Sequence, residues 1–313
     1  MLKGDSQVQP ILNMHNYPKL TSLLRASAAA ALLSPALSLA GTTMVTQETA
    51  PLVEEMKKSA ITGDLGVNFV SQYILRGLVY ENQGVIAQPY LNLYFSLYEG
   101  EGFINKVSLI AGFWSSLHSR HTDAPPNTTT PAWFEFDFTP GIAVTFAKNF
   151  TLTSSLFIYS SPADAFSTFY GANFQLDYDD SDLLGAFALH PHVTYLRELD
   201  GKAGSGASEG NYYEVGVAPQ LPAFGPLSVT FPLTVGFGSH DFYADNTGFG
   251  FFSGGVNAEV ALGFIPAEYG SWTVNAGATY YYLNGSLARF NNPNVRDTGH
   301  NEFVFSGGIG LAF

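Results

Sequence analysis

The chain contains no cysteine, which removes a disulfide framework, thiolate chemistry and any cysteine-ligated metal. Charge is scarce as well. Only 12% of the 313 residues are Asp, Glu, Lys or Arg, against roughly 25% in a soluble domain, so much of the usual solubilising surface is missing. Cations are the scarcer sign, 13 against 26 anions, for a formal net charge of −13. That balance argues against nucleic acid as a partner, because neutralising phosphates needs clustered Lys and Arg. Beyond the amino-terminal region there is no run of about 20 apolar residues, the length a spanning helix requires. No phosphate loop, nucleotide fingerprint or paired-carboxylate motif stands out, and no cofactor is expected.

What the chain has is apolar residues, 46% of the total, arranged at every second position. Successive strand side chains point to opposite faces, and the carboxy-terminal stretch shows that period: Phe303, Phe305, Ile309, Leu311 and Phe313 alternate with Glu302, Ser306, Gly308, Gly310 and Ala312. Such segments begin after Thr62 and recur to the end. The first spans about Asp64 to Arg76, with Leu65, Val67, Phe69, Tyr73 and Leu75 opposite Gly66, Asn68, Gln72 and Arg76. The fourth sets Phe134, Phe136, Phe138, Ile142, Val144 and Phe146 against Glu135, Asp137, Thr139 and Thr145. The seventh, Leu183 to Arg197, places His190, His192 and Thr194 on one face, and the ninth alternates from Leu227 to Phe237. Pro89 and Pro232 fall inside expected strands, where each removes a ladder donor.

The joins after even-numbered strands read as tight turns, including Asp179-Asp180-Ser181-Asp182, whereas those after odd-numbered strands are mostly longer. Lys148-Asn149 reads as a two-residue turn with Asn149 suited to positive φ. Short turns at one end and long loops at the other are the habit of bacterial barrels. The pattern therefore predicts an all-β fold over residues 62–313, a transmembrane antiparallel up-and-down β-barrel of about 12 strands, closed so that every backbone group is paired in lipid. Tyr73, Tyr98, Tyr178, Tyr195, Trp272 and Tyr282 are expected in its interfacial aromatic girdles.

Ahead of this, Lys19 and Arg25 precede the apolar run Ala26 to Leu39, and Ser38-Leu39-Ala40 supplies small residues before Gly41. Residues 1–40 read as a signal peptide, with Met1 or Met14 as its start, and residues 41–61 as a polar periplasmic segment. The expected location is the bacterial outer membrane after signal-peptide export.

Asn-Phe-Val-Ser-Gln-Tyr-Ile-Leu-Arg-Gly, from Asn68 to Gly77, resembles the opening strand of the TorF-like porin family, whose Ser-x-Tyr-x-x-Arg-Gly segment is matched by Ser71, Tyr73, Arg76 and Gly77. Gln88 and Pro89 open the next strand in a similar way. The resemblance implies a porin-like outer-membrane protein and carries no substrate. The closing strand likewise resembles those of bacterial outer-membrane barrels, which implies that Phe313 is part of the signal read by the barrel assembly machinery.

Signals of catalysis are slight. Adjacent His118 and Ser119 on one strand point to opposite faces and form no nucleophile–base pair. His190 and His192 have a spacing that suits a metal, and Asp177, Asp179, Asp180 and Asp182 could hold calcium, but lumen-lining and turn roles account for them better. The chain is read as a non-enzyme. With the apolar set facing lipid, Glu135, Asp137, Asp177, Glu214, Glu259 and Glu302 join Arg76, His190 and His192 as expected pore-lining residues, an excess of carboxylates that favours cations. Tyr90, Tyr94, Tyr212 and Tyr281 are placed to narrow the lumen. Two readings of function stay open: a porin-like channel for passive diffusion of small hydrophilic solutes or ions, cation-preferring, or a closed barrel with a structural, adhesive or lipid-modifying role.

Overall fold

The computed structural model describes residues 60–120, 132–222, 224–239, 241–246, 248–291 and 299–313. The signal peptide and nearly all of the 41–61 segment lie outside these residues. The described residues form fifteen strands: β1 (Ile61–Val70), β2 (Tyr73–Leu75), β3 (Leu78–Glu81), β4 (Ile86–Glu99), β5 (Ile104–His118), β6 (Trp133–Phe146), β7 (Phe150–Ser160), β8 (Phe169–Tyr178), β9 (His192–Asp200), β10 (Asn211–Val217), β11 (Leu227–Thr230), β12 (Leu233–Gly238), β13 (Phe249–Ala261), β14 (Ser271–Leu283) and β15 (Asn301–Ala312).

All but β2 and β3 belong to one antiparallel sheet of thirteen strands. β11 and β12 both pair with β13, from Leu227↔Val260 to Phe237↔Phe249, and are two halves of one strand broken at Phe231-Pro232. Counting them as one makes a barrel of twelve strands. The break is the donor loss expected of Pro232; Pro89 by contrast sits opposite Val67 without interrupting β4. Closure comes from β15, which pairs with β14 on one side and β1 on the other, with Leu65↔Leu311 and Phe69↔Gly307 in register. A closed sheet leaves no unpaired edge.

The alternation read from sequence sorts the side chains. Phe69, Phe303 and Phe305 lie 51%, 56% and 60% exposed on the outside, whereas Glu135 and Asp137 inside are completely buried. On these wall strands the distribution is the reverse of a protein surrounded by water, where carboxylates are exposed and large apolar groups hidden. Aromatic rings form chains on the outer wall. Toward the short-turn end, Phe103, Phe146, Phe150 and Tyr178 follow one another at 5.7, 5.7 and 4.6 Å; in the middle of the wall, Phe174, Tyr195 and Tyr213 do so at 6.2 and 5.4 Å.

Three local expectations are corrected. β1 ends at Val70, so Tyr73 and Leu75 do not continue its outer face; Tyr73 is 4% exposed and no girdle residue. The connection 179–191 is no tight turn: it holds a helical turn, Ser181–Leu184, and a 3-10 turn, Gly185–Phe187, so β9 begins only at His192. The connection 262–270 likewise holds a 3-10 turn, Ala267–Tyr269, and is longer than 161–168 at the other end, so the sorting by length holds in part, with Ile61 and Ala312 both at the end carrying 100–103 and 147–149. In the latter, Ala147 and Lys148 take the positive φ values, while Asn149 donates its amide to the carbonyl of Asp179 at 2.8 Å.

Candidate functional site: the lumen and its cap

The segment between β1 and β4 turns into the barrel. Tyr73–Leu75 and Leu78–Glu81 pair as a hairpin joined by Arg76 and Gly77 at φ +49° and +81°. Positive φ at both central residues is the signature of a tight two-residue turn whose twist matches the strands it joins. The Tyr-x-x-Arg-Gly segment therefore builds not the opening strand but a finger folded into the lumen at the long-loop end.

That finger nucleates the apolar core of the molecule. Tyr73, Ile74, Leu75, Leu78 and Val79 are all nearly inaccessible and pack with Trp114, Phe157, Tyr159, Phe169, Leu196, Tyr212, Phe242, Tyr243, Phe251 and Leu287. Burying such side chains is worth about 1.5–3 kcal/mol each relative to water. Polar contacts fix the finger in place. The Tyr73 hydroxyl donates to Glu135 Oε2 at 3.0 Å, the Tyr243 hydroxyl to the Arg76 carbonyl at 2.9 Å, and the Asn291 amide to the Gly77 carbonyl at 3.0 Å. In return, the Val79 N–H donates to Asn291 Oδ1 at 3.2 Å. Glu198 fastens the neighbouring loop by accepting from the N–H groups of Ala203, Gly204 and Gly210. The long-loop end is thus capped by packed side chains.

Beneath the cap the lumen is polar. A cavity there is lined by Arg76, Asn92, Tyr94, Thr139, Thr153, Asn173, Gln175, Tyr212 and Glu214, among others. Tyr212 and Tyr94 do line it, as expected of narrowing tyrosines. Glu214 Oε2 accepts from the Tyr212 hydroxyl at 2.5 Å, and its Oε1 lies 3.6 Å from His192 Nε2. Asp177 accepts from Gln175 Nε2 at 2.9 Å. Asp64, a carboxylate missing from the expected set, accepts from Asn92 at 2.9 Å and Tyr94 at 3.0 Å. Glu302 is buried, accepting from Gln72 at 3.1 Å and the Gly299 N–H at 2.8 Å. Glu259 pairs in register with Asn275 and has the inward parity.

The structure separates the two histidines. His192 is on β9 facing the lumen, but His190 precedes the strand with φ +47° and lies 3.7 Å from Asp179, so the expected pair on one face does not form. Among the described residues no group of three or more His, Asp or Glu side chains is arranged to hold a metal. The four aspartates do different work. Asp180 accepts from the N–H groups of Leu189 and His190 at 3.0 and 2.9 Å and so shapes the 179–191 connection. Burial pulls its carboxyl upward, but those backbone donors outweigh it and hold Asp180 below the usual carboxylate range.

One pairing escaped the sequence. Residues i and i+2 share a strand face, and Ser116 Oγ lies 2.8 Å from His118 Nε2. Both are buried, with Phe134 stacked on the imidazole at 4.5 Å and Tyr73 edge-on at 5.9 Å, so this is a filled wall rather than an open hydrolytic site.

No protein-family model matches the chain, and no curated protein matches it in sequence. Among solved structures, an outer membrane channel from Pseudomonas putida F1 aligns with a TM-score of 0.51 at 12% identity, over 85% of this chain and 100% of that one. The NanC porin aligns with a TM-score of 0.43 at 10% identity, over 79% of this chain and 98% of that one. At these identities the likeness to the Pseudomonas channel is one of fold, and it agrees with the twelve-stranded closed barrel.

Proposed function

We propose that the chain is an outer-membrane channel for small hydrophilic solutes or ions, cation-preferring, whose passage is controlled by the inward hairpin of β2 and β3. The observation that carries this is the inside-out distribution of polarity: Glu135 and Asp137 completely buried within the wall, Phe303 and Phe305 more than half exposed outside it. Only a lipid surround makes that arrangement favourable, and a polar lumen in a closed wall is a route for water-soluble molecules. The membership in a TorF-like porin family belongs to this same reading, as do export by a signal peptide and recognition of Phe313 by the assembly machinery.

Cation preference follows from the carboxylates of Asp64, Asp177, Glu214 and Glu259 along the lumen. Reversal potentials across a planar bilayer with a salt gradient test it directly, and a clear anion preference would refute it. The apolar cap favours a second reading, a closed barrel that displays its loops. Single-channel recording separates the two: brief or rare openings that lengthen when the hairpin is weakened support the channel, and silence in both wild type and weakened variants supports the closed barrel.

A further inference from the structure

We infer that the cavity beneath the hairpin is a binding site for a small zwitterion of the amino-acid type, with its carboxylate taken by Arg76 and its ammonium by Glu214. This deepens the channel reading and rests on it, since a solute must enter the lumen to reach the site. The Arg76 guanidinium is 3% exposed, lies 5.3 Å from the Tyr212 ring centre and 5.9 Å from that of Phe157, and uses Nη2 to reach the Tyr159 hydroxyl at 3.3 Å. Among the described residues its Nε and Nη1 have no hydrogen-bond partner, nor has Oδ1 of Asn173, which is 5% exposed and lines the same cavity. Unpaired N–H groups on a buried cation are costly, and an anionic acceptor relieves that cost.

Tyr212 holds the two charges apart. Its ring lies under the guanidinium while its hydroxyl donates to Glu214. The lining charges of the cavity therefore sum to zero but sit at two separate points. A ligand carrying both signs at short separation satisfies both. A simple anion meets Arg76 but is repelled by Glu214, a simple amine meets Glu214 but is repelled by Arg76, and a neutral solute gains from neither charge. Because the long-loop end is filled by apolar side chains, entry is from the short-turn end.

Isothermal titration of the refolded full chain in detergent micelles tests the site with L-alanine and three smaller probes that lack one or both of its charges: propionate, ethylamine and propionamide. Alanine is expected to bind at least tenfold more tightly than the other three. Glu214→Gln is expected to weaken alanine at least tenfold and to erase its margin over propionate, whereas Thr194→Val, which alters the cavity wall without touching a charge, leaves the margin within threefold. Equal affinities for the four probes, no binding of alanine, or equal losses in both variants overturns the site. Should Glu214→Gln fail to refold, the wild-type probe series decides alone. Conductance in bilayers without alanine binding removes the site and leaves the channel; alanine binding without conductance keeps the site and removes the channel.

Discussion

Replacing Gly77 by valine tests whether the inward hairpin is the gate. At φ +81° the added side chain sits in the left-handed region, and its Cβ would lie 2.7 Å from Leu287 Cδ1 and 3.3 Å from Phe251 Cδ1. The backbone term for an L-residue there is about 1–2 kcal/mol. Forcing extra volume into a packed core adds about 1–3 kcal/mol. At 1.4 kcal/mol per factor of ten, the combined ~2–5 kcal/mol lowers the docked-to-released ratio of the hairpin by about 30-fold to a few thousandfold. The barrel ladder does not pass through the hairpin, so the wall remains intact. Gly225→Val is the matched control: φ is +61°, nothing lies within 4 Å, and the residue is in a short turn at the opposite end. Amide exchange at Val79, whose N–H is bonded to Asn291, and open probability in planar bilayers are the readouts. The expected result is faster exchange and longer openings for Gly77→Val with unchanged barrel melting, and neither for Gly225→Val. Wild-type protection at Val79 in the Gly77 variant, or an equal effect from the control, would refute the reasoning.

Tyr243→Phe removes the donor to the Arg76 carbonyl and strands a buried acceptor, so the hairpin should loosen by about 1–3 kcal/mol, read as exchange at Val79. Asp180 titrates below the ordinary range, so its bonds to Leu189 and His190 stabilise the 179–191 connection above that range and are lost as pH falls through the lowered folded value. Asp180→Asn should accelerate exchange of those two amides at neutral pH, where acid is needed to do so in the wild type. Deleting Phe313 removes two seam hydrogen bonds to Gly63, each 2.9 Å, and should lower the yield of heat-modifiable barrel in outer membranes while export across the inner membrane continues. Neutralising Asp177 and Glu259 together should shift the reversal potential toward zero without changing assembly.

The outer wall was legible because the strand period is local and lipid contact makes it strict. A one-residue slip puts every apolar side chain in the wrong medium, and the closing segment Phe303–Phe313 paired on both sides as its pattern required. Glu135 and Asp137 faced inward for the same reason. The failures came where alternation continued by coincidence past the true strand end. Tyr73 and Leu75 keep the outer parity of Leu65 and Phe69, yet Arg76 and Gly77 take left-handed φ and the segment reverses. His190 keeps the parity of His192, but the two N–H groups, of Leu189 and His190, from which Asp180 accepts hold the chain in a loop until Pro191. A capping carboxylate ten residues away in sequence leaves no periodic trace.

The sequence by itself determined the closed twelve-stranded wall, the face each strand residue shows to lipid or lumen, and the sorting of most loop lengths, because each follows from chemistry repeated at every second position. Tertiary structure alone decided what fills the wall. Residues distant along the chain, Tyr73, Trp114, Tyr159, Tyr212, Phe242 and Leu287, meet at the long-loop end to bury one another, and the charges of Arg76 and Glu214 come to opposite ends of a single tyrosine. Those contacts depend on where a finger of nine residues, Tyr73 to Glu81, turns in space, and no local pattern encodes that direction.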